Sequence, residues 1–516
     1  MLLIEKKTLF IFGLVLLMVN ACKSPKPVFS LEKLPLIPLP LSVKASKEVL
    51  TVKAIQSVCF EEDRQELKAM AQSVQKLWSD YTQYDLRLED SLTKDDNAIA
   101  LEIDENMPNP EAYVLEIESN EISIKGASAE GIYRGIKTLE QILALSQIHA
   151  VTEFSSLPGG IVKDQPQYAY RGAMLDVARH FFSVDQVKRY IDLLSLYKIN
   201  YLHFHLSDDQ GWRIEIKSWP KLTEIGGQTQ VGGGKAGYYT QNDYLEIVNY
   251  ATQKFITIVP EIDLPGHTNA ALASYAQLNC NGKATDLYTG IEVGFSSLCV
   301  DKEITYDFVD DVIREISEMT PGPYFHIGGD ESLVTPEEDY IRFMNRTLQI
   351  VKQHNKTPMG WYELIAADIP QETLLQYWAK AEDFDKVIAK KSKILISSAS
   401  YAYLDMKYDS LTSLGLSWAG YLPLKKAYDW DPKTLVSGLD PEQIVGLEAP
   451  LWTETIESFD DIAAMAFPRL LGHAEIGWTS LDLRNWKDYA DRLSYHGKFL
   501  LSKGVKYHSA PSISWK

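Results

Sequence analysis

The chain has 516 residues, which is long enough for two domains and a large hydrophobic core. Hydrophobic residues make up 45% of it and charged residues 23%, as in ordinary globular proteins. The formal net charge of -19 argues against nucleic acids and anionic surfaces as partners.

The first 22 residues have the pattern of an export signal. Two lysines precede an apolar run over residues 8–19, which is too short for a comfortable membrane span. The run leads into the sequence Val-Asn-Ala-Cys, ending at Cys22, which resembles a bacterial lipobox with a lipidated cysteine. We therefore expect an exported lipoprotein, anchored to a membrane in the periplasm or on the outer membrane of a bacterium. An ordinary cleaved signal with an incidental Cys22 is the alternative.

Three cysteines remain after the signal. Export would place them in an oxidising compartment, where disulfides form. Cys280 and Cys299 are the natural pair. Their bond would close a loop of about 20 residues and stabilise the fold by about 3 kcal/mol. Cys59 is left over, and we expect it to be buried.

Residues 23–165 have the pattern of a separate, non-catalytic α/β domain. Alternating polar and apolar residues predict half-buried strands of a small antiparallel sheet. Apolar residues at helical spacing predict two helices. The predicted strands are 50–54, 99–103, 112–117 and 121–125, and the predicted helices are 64–81 and 129–145.

Residues 166–516 repeat a pattern of strand, loop and helix. Eight buried strands alternating with helices over about 330 residues predict a (β/α)8 TIM barrel. In such barrels the active site lies at the carboxyl ends of the strands. The predicted strands are 172–176, 201–206, 256–260, 324–327, 358–361, 374–378, 393–397 and 444–447. The predicted helices are 184–196, 242–255, 308–319, 337–354 and 458–471.

The fourth predicted strand ends in two adjacent acids. The run 324–327 is followed by Gly328 and Gly329, and then by Asp330 and Glu331. Neighbouring side chains of a strand point to opposite faces, so both acids can serve one site only where the strand has become a loop. The glycines supply the backbone freedom for such a turn. We interpret the pair as the catalytic acids of a glycosidase, and a solvent-exposed strand end is the alternative.

The other predicted strand ends also carry carboxylates, aromatic rings or both. A sugar pocket needs acids to bind hydroxyls and rings to cover the C–H face of the sugar. A barrel packed only for stability has no reason to collect these groups at one end. The residues concerned include Asp176, Arg179, His180, Asp208, Asp209, Glu261, Asp263, His267, Trp361, Glu363, Trp378, Tyr403, Asp405, Trp452 and Glu454.

Four stretches of this region together resemble glycoside hydrolase family 20, the β-N-acetylhexosaminidases. They are RGAMLDVARHF at 171–181, HFHLSDDQGWR at 203–213, PEIDLPGH at 260–267 and HIGGDE at 326–331. Four long motifs in this order are a specific signal. The resemblance covers nearly the whole mature chain and implies a barrel behind a small α/β N-terminal domain. It also implies an exo-acting enzyme that removes terminal β-linked GlcNAc or GalNAc without a metal or a cofactor.

The mechanism that the resemblance implies is substrate-assisted retention. Glu331 would protonate the glycosidic oxygen. The 2-acetamido carbonyl of the substrate would attack C1 and form an oxazolinium ion. Asp330 would bind the acetamido N–H and stabilise the developing positive charge. Water activated by Glu331 would then open the ring.

Further roles follow from the resemblance, residue by residue. Arg171 would grip the C3 and C4 hydroxyls of the sugar, with a structural salt bridge as the alternative. Asp208 and His267 would hold Glu331, with ordinary hydrogen bonding at the barrel end as the alternative. The pocket would be completed by Trp361, Trp378 and Trp452 as walls, Tyr403 on the acetamido oxygen, and Asp405 and Glu454 on the sugar.

Two other functions remain as alternatives. His203 and His205 alternate on one strand, and with His267 and His326 they could form the metal site of an amidohydrolase-type barrel. Loss of activity on chelation would favour that hypothesis. The second alternative is a glycan-binding lipoprotein without turnover, against which the intact pair of acids argues.

Overall fold

A computed structural model describes residues 29–61, 64–90, 97–150, 153–379 and 384–516. The predicted signal and Cys22 lie outside these described residues. Within them, no helix combines the length and the apolar character needed to cross a membrane.

The chain divides into two compact units. The first consists mainly of Ser42–Glu105 and Tyr113–Lys163, and the second mainly of Asp164–Lys516. Two short upstream segments, Pro35–Leu41 and Asn106–Ala112, belong to the second unit. The second unit is therefore assembled from three separate stretches of the sequence.

The first unit contains a seven-stranded mixed sheet. Its strands are β1 (Ser42–Thr51), β2 (Ser57–Phe60), β3 (Arg87–Glu89), β4 (Ala98–Ile103), β5 (Tyr113–Ile117), β6 (Ile122–Gly126) and β7 (Ser156–Asp164). Their order is β1-β7-β5-β6-β4-β2-β3. The pairs β2–β3, β2–β4 and β4–β6 are parallel, whereas β1–β7 and β5–β6 are antiparallel. The expectation of an antiparallel sheet is therefore wrong.

Two helices, α1 (Gln65–Thr82) and α2 (Ala129–Ile148), pack on this sheet. Helix α2 begins after Ser128, whose side-chain oxygen accepts hydrogen bonds from the backbone N–H groups of Glu130 and Gly131. Such a cap satisfies donors that have no partner inside the helix. Both helices lie close to their predicted positions because their apolar faces repeat at helical spacing.

The second unit is built around a closed barrel of eight parallel strands. Its strands are β8 (Tyr170–Asp176), β9 (Tyr201–His205), β10 (Ser207–Asp208), β11 (Gly211–Trp212), β12 (Thr257–Glu261), β13 (Tyr324–His326), β14 (Thr357–Trp361), β15 (Leu374–Tyr377), β16 (Lys393–Ile396) and β17 (Ile444–Leu451). Strands β10 and β11 form a separate ribbon, and the other eight follow one another around the barrel, which β17 closes against β8. The predicted TIM barrel is confirmed.

Helices connect and follow these strands. They are α3 (Val184–Leu196), α4 (Lys221–Glu224), α5 (Gln241–Thr252), α6 (Asn269–Ser274), α7 (Glu303–Met319), α8 (Glu337–Gln353), α9 (Phe384–Lys390), α10 (Leu424–Tyr428), α11 (Phe459–Ala466), α12 (Arg469–Trp478) and α13 (Trp486–Ser502). The helix predicted over 458–471 is in fact two helices, because Pro468 interrupts the backbone hydrogen bonding after α11.

The barrel interior changes from apolar to polar along its axis. Tyr170, Val259, Met359, Leu374 and Leu395 form a buried apolar cluster. Bulky apolar side chains of this kind make the barrel a packed core and not a pore. The interior therefore offers a rigid base for whatever lies at the strand ends.

At the carboxyl ends of the strands the interior becomes polar. In the strand register, His205 lies beside Asp176 on one side and beside Glu261 on the other. Glu261 in turn lies beside His326. All of these side chains are fully buried, with 0% exposure. This charged layer lies at the end of the barrel where the sequence predicts the site.

Candidate active site

The turn after β13 can be made only with glycine. Gly328 and Gly329 have φ angles of +63° and +105°. A β-carbon at Gly328 would lie 1.8 Å from Oδ1 of Asp263. The backbone N–H of Gly329 donates to the same oxygen, at an N–O distance of 3.1 Å. Asp263 therefore fixes the turn that carries Asp330 and Glu331 out of the strand.

The two acids of this turn have different surroundings. Asp330 is 8% exposed, whereas the side chain of Glu331 keeps 34% of its surface. Burial raises the pKa of Asp330 to about 6, a shift that His267 opposes and Glu331 reinforces. Glu331 has a φ of +44°, which is uncommon for a residue with a side chain. The turn thus holds one inner carboxyl and one outer carboxyl.

A chain of buried charged groups lies behind Glu331. Its Oε2 is 3.6 Å from Nε2 of His267, and Nδ1 of His267 donates to Oδ1 of Asp208 at 3.1 Å. Nη2 of Arg179 lies 2.7 Å from the other oxygen of Asp208. Burial alone would raise the pKa of Asp208, but Arg179 and His267 hold it well below its usual value. Burial opposes the charge of His267 too, yet Asp208 holds its pKa well above its usual value.

A cavity of about 400 Å³ opens beside the two acids. This is the size of a small-molecule site. The guanidinium carbon of Arg179 lies 4.9 Å from the ring centroid of Trp452 at its wall. The lining residues are Arg179, His267, Ile291, Val293, Asp330, Glu331, Trp378, Tyr403, Leu416, Trp418, Trp452 and Glu454. Charged groups and aromatic faces therefore meet in one cavity.

Trp361 and Asp405, also predicted for the pocket, are buried next to its lining residues. The ring centroid of Trp361 is 5.9 Å from that of Trp452, and its Nε1 donates to Oε1 of Glu261 at 3.1 Å. Asp405 is 2% exposed, and burial together with the charge of Glu454 raises its pKa well above its usual value. Trp361 therefore supports the wall at Trp452 from behind.

An aromatic corner closes one side of the cavity. The rings of Trp378 and Tyr403 each meet the ring of Trp418 edge to face, at centroid distances of 6.0 and 5.9 Å. Trp418 is 56% exposed. Nε1 of Trp378 donates to both oxygens of Glu363, at 3.1 and 3.3 Å, which fixes the indole. Burial and the charge of Asp330 raise the pKa of Glu363 to about 8.

The prediction that Arg171 grips the sugar is wrong. Arg171 is the second residue of β8, and the strand end at Asp176 lies five positions further along the chain. This places it about 17 Å away, toward the amino end of the barrel. Its guanidinium is buried, pairs with Glu111 and donates to two backbone carbonyls. The alternative, a structural salt bridge, therefore describes Arg171, and Arg179 lines the cavity instead.

Several lining residues were not assigned a role from the sequence. Arg179 was recognised as a strand-end residue, and its position three residues after β8 is the signal that could have identified it. Trp418, Ile291 and Val293 lie in long loops without a periodic pattern, so no local signal pointed to them. Asp263 is one of the strand-end carboxylates named from the sequence, but its role at the turn is recognisable only through its packing against Gly328.

A disulfide joins Cys280 to Cys299. The loop that it closes carries Ile291 and Val293, which line the cavity. Cys59 is buried in the first unit. The disulfide therefore closes a loop that forms part of the site.

Three of the four histidines of the alternative metal centre, His203, His205 and His326, lie inside the barrel, whereas His267 lines the cavity. Nε2 of His203 and Nδ1 of His326 each lie 2.9 Å from an oxygen of Glu261, a spacing that could also hold a cation. Nδ1 of His205 donates to the same carboxylate at 2.5 Å. These four side chains are fully buried, and the cavity beside Asp330 is lined by other residues. The groups around Glu261 therefore lie apart from the cavity, whereas Asp263, His267 and Asp330 offer a second set of possible ligand atoms beside it.

The sequence matches two models of one protein family. "Glycosyl hydrolase family 20, catalytic domain" matches residues 168–336 and 332–481. "Glycosyl hydrolase family 20, domain 2" matches residues 33–165. Together the matches cover most of the chain.

Similar proteins and solved structures agree with this assignment. A β-N-acetylhexosaminidase of Cellulomonas fimi is 42% identical, over 81% of this chain and 84% of the relative. A family 20 β-N-acetylhexosaminidase structure from Streptomyces coelicolor has a TM-score of 0.89 at 43% identity, and covers 93% of this chain and 99% of its own. The Streptomyces plicatus enzyme, solved as a mutant in complex with product GlcNAc, has a TM-score of 0.88 at 43% identity, with 93% and 98% coverage. The family models, the relatives and the barrel together show that this chain belongs to glycosyl hydrolase family 20, as a β-N-acetylhexosaminidase.

Proposed function

We propose that this enzyme is an exo-acting, retaining hydrolase that removes terminal non-reducing GlcNAc or GalNAc, β-linked, from oligosaccharides or glycoconjugates. One observation carries the proposal. A buried carboxyl, Asp330, and a partly exposed one, Glu331, stand side by side at a small cavity with aromatic walls. The Streptomyces plicatus relative with GlcNAc in its site supports this choice of sugar.

In the proposed reaction, Glu331 donates a proton to the glycosidic oxygen as the bond from that oxygen to C1 breaks. The carbonyl oxygen of the substrate's own acetamido group attacks C1 and forms an oxazolinium ion. Asp330 accepts a hydrogen bond from the acetamido N–H and offsets the positive charge. Glu331, now ionised, removes a proton from water, which opens the oxazolinium ion and restores the acid.

The walls of the cavity bind the sugar. Trp378 and Trp452 cover its apolar faces, and the hydroxyl of Tyr403 binds the acetamido oxygen. Arg179 and Glu454 offer a charged donor and a charged acceptor to the ring hydroxyls. Because Arg171 lies at the other end of β8, we assign to Arg179 the grip on the sugar.

Turnover of an aryl β-N-acetylglucosaminide tests the activity directly. We expect the purified protein to release the aryl alcohol, and a thiazoline mimic of the oxazolinium ion to inhibit it competitively. No release of the aryl alcohol at any pH would refute the proposed activity. Full activity in the presence of the mimic would refute the participation of the acetamido group. A parallel assay with the galactosaminide measures the preference at C4.

The role of Glu331 is tested by varying the leaving group. Glu331→Gln should lose at least about 100-fold in kcat/KM on alkyl glycosides, which need protonation, and far less on dinitrophenyl glycosides. Asp330→Asn should reduce both alike, because every substrate passes through the oxazolinium ion. Equal losses for both leaving groups in Glu331→Gln would contradict its role as the acid.

The pH dependence tests the role of Asp330. Its pKa of about 6 predicts that kcat/KM falls as the pH drops below 6, because a protonated Asp330 cannot offset the charge of the intermediate. The profile should be measured on the dinitrophenyl glycoside, which does not depend on the acid. An acid limb that begins only near pH 4 would contradict this assignment.

We further propose that the protein is an exported lipoprotein held to a bacterial membrane through Cys22. The basic start, the short apolar run and the lipobox-like sequence support this. In cells fed a labelled fatty acid, the wild type should carry the label in the membrane fraction, and Cys22→Ser should not. Label that persists in Cys22→Ser, or wild type in the soluble fraction only, would refute the anchor.

A further inference from the structure

His205 is placed between two carboxylates at the charged end of the barrel. Its Nδ1 donates to Oε2 of Glu261 at 2.5 Å, and its Nε2 donates to Oδ2 of Asp208 at 3.0 Å. An ionised carboxylate only accepts hydrogen bonds, so both ring nitrogens must carry protons. His205 is therefore a cation that links two anions.

The charged groups around His205 favour this charge on balance. Asp176 lies beside His205 in the strand register, and its negative charge favours the protonated ring. Nη1 of Arg179, 3.5 Å from Nε2, carries a like charge that the carboxylates outweigh. Burial lowers the pKa of His205, but the opposite effect of Glu261 and Asp208 is larger and raises the pKa to about 9. The ring stays protonated through the neutral range.

His205 determines which oxygen of Asp208 faces His267. Oδ2 of Asp208 is occupied by His205 and by Arg179, at 3.0 and 2.7 Å. Oδ1 accepts from the backbone N–H of Asp209 at 2.6 Å and from Nδ1 of His267 at 3.1 Å. With Nδ1 used in this way, only Nε2 of His267 can face Glu331. The orientation of the group behind the acid thus depends on His205.

Glu261 anchors His205 and a wall of the pocket at once. Its Oε2 accepts from His205, and its Oε1 accepts from Nε1 of Trp361 at 3.1 Å. The ring of Trp361 lies 5.9 Å from that of Trp452, which lines the cavity. One fully buried carboxylate therefore connects the support of the acid with the support of the sugar-binding wall.

We propose that His205 and Glu261 are positioning residues for catalysis, which hold Asp208 and His267 in the one arrangement that supports proton transfer by Glu331. The inference rests on the proposed role of Glu331 as the acid. Buried charges are a costly way to fill a core, because apolar side chains of the same volume are often as stable or more so. These charged side chains lie directly behind Glu331, and support of this acid is a functional reason for the cost of burying them.

Two substitutions of His205 separate positioning from packing. His205→Gln places an amide N–H near the position of Nε2 and can still donate to Asp208, whereas His205→Asn reaches only toward Glu261. We expect His205→Asn to lose about 100-fold in kcat/KM on an alkyl glycoside and less than about tenfold on a dinitrophenyl glycoside. His205→Gln should recover to within about tenfold of the wild type on both.

Glu111→Gln is the matched control. It changes a buried carboxylate to an amide, as Glu261→Gln does, but in the ion pair with Arg171 at the other end of β8. We expect kcat/KM of Glu111→Gln to stay within about threefold of the wild type on both substrates. Circular dichroism and thermal melting establish that each variant is folded.

The outcomes are distinguishable. A larger loss on the alkyl glycoside in His205→Asn, with recovery in His205→Gln, supports positioning. Equal losses on both glycosides, or no loss, overturn it. If His205→Asn does not fold, kcat/KM of Glu261→Gln is compared on the same two glycosides. A larger loss on the alkyl glycoside supports positioning, and equal losses overturn it. A wild type that releases neither alcohol would instead refute the proposed function itself.

Discussion

Replacing Asp330 by asparagine should remove most of the activity and yet stabilise the folded protein at neutral pH. Asp330 is 8% exposed, and burial raises its pKa from 3.8 to about 6 although His267 opposes the shift. The folded state therefore binds this proton more tightly than the unfolded chain does. Above pH 6 the ionised carboxylate destabilises the fold, and asparagine removes that charge.

The magnitude follows from the shift in pKa. One unit corresponds to about 1.4 kcal/mol, so the rise from 3.8 to about 6 corresponds to roughly 3 kcal/mol. The stability that the protonated Asp330 contributes is fully present below 3.8 and is lost as the pH rises through about 6. About 2 kcal/mol of this loss should fall between roughly pH 4.5 and pH 7.5. The advantage of the asparagine variant should grow over that interval and then level off.

Urea unfolding at a series of pH values measures the difference in free energy of unfolding between wild type and Asp330→Asn. Asp482→Asn is a matched control, because Asp482 is exposed and lies in the same unit. Its effect should stay within about 0.5 kcal/mol at every pH. An Asp330→Asn variant that is less stable than the wild type at pH 7.5, or a difference that does not change with pH, would refute the reasoning.

Two further predictions concern the cavity and the turn. Arg179→Lys should lower kcat/KM by at least about 100-fold, because lysine cannot both pair bidentately and stack on an aromatic ring. Arg171→Lys should change kcat/KM by less than about threefold while lowering the melting temperature. Equal losses of kcat/KM in the two arginine variants would show that Arg171 also binds the sugar. Gly328→Ala should cost at least about 3 kcal/mol in urea unfolding, because its β-carbon would lie 1.8 Å from Asp263. Gly232→Ala shares a positive φ but meets nothing within 4 Å, so it should cost only about 1–2 kcal/mol; similar costs for the two would contradict the steric explanation.

The barrel could be predicted from the sequence because its strands are buried on both faces. Such strands read as short apolar runs between loops and helices. The run 393–397, for example, contains β16 (Lys393–Ile396). The position of the acid pair beyond the strand end could be predicted too, because Gly328 and Gly329 mark the point where the strand ends. The roles proposed for these acids come from the motifs, because periodicity alone does not provide a role.

What could not be predicted depends on register and on long-range pairing. The first barrel strand was expected to begin at residue 172, whereas β8 begins at Tyr170. Arg171 therefore lies within the strand, near its amino end. The parallel pairs of the first unit join strands that are distant in sequence, and local alternation does not specify a partner. The cavity wall at Trp418 and Val293 comes from loops, whose course is set by the packing around them.

The pairing of Arg171 with Glu111 also limits how this protein can be divided. Glu111 lies in Asn106–Ala112, between β4 and β5 in sequence, yet that segment belongs to the second unit. A chain cut at residue 165 would keep the buried guanidinium and lose its carboxylate. Removing one partner of a buried pair costs about 3–5 kcal/mol. The boundary near residue 165, where the sheet of the first unit ends, is thus not a position at which the enzyme can be divided into two independent parts.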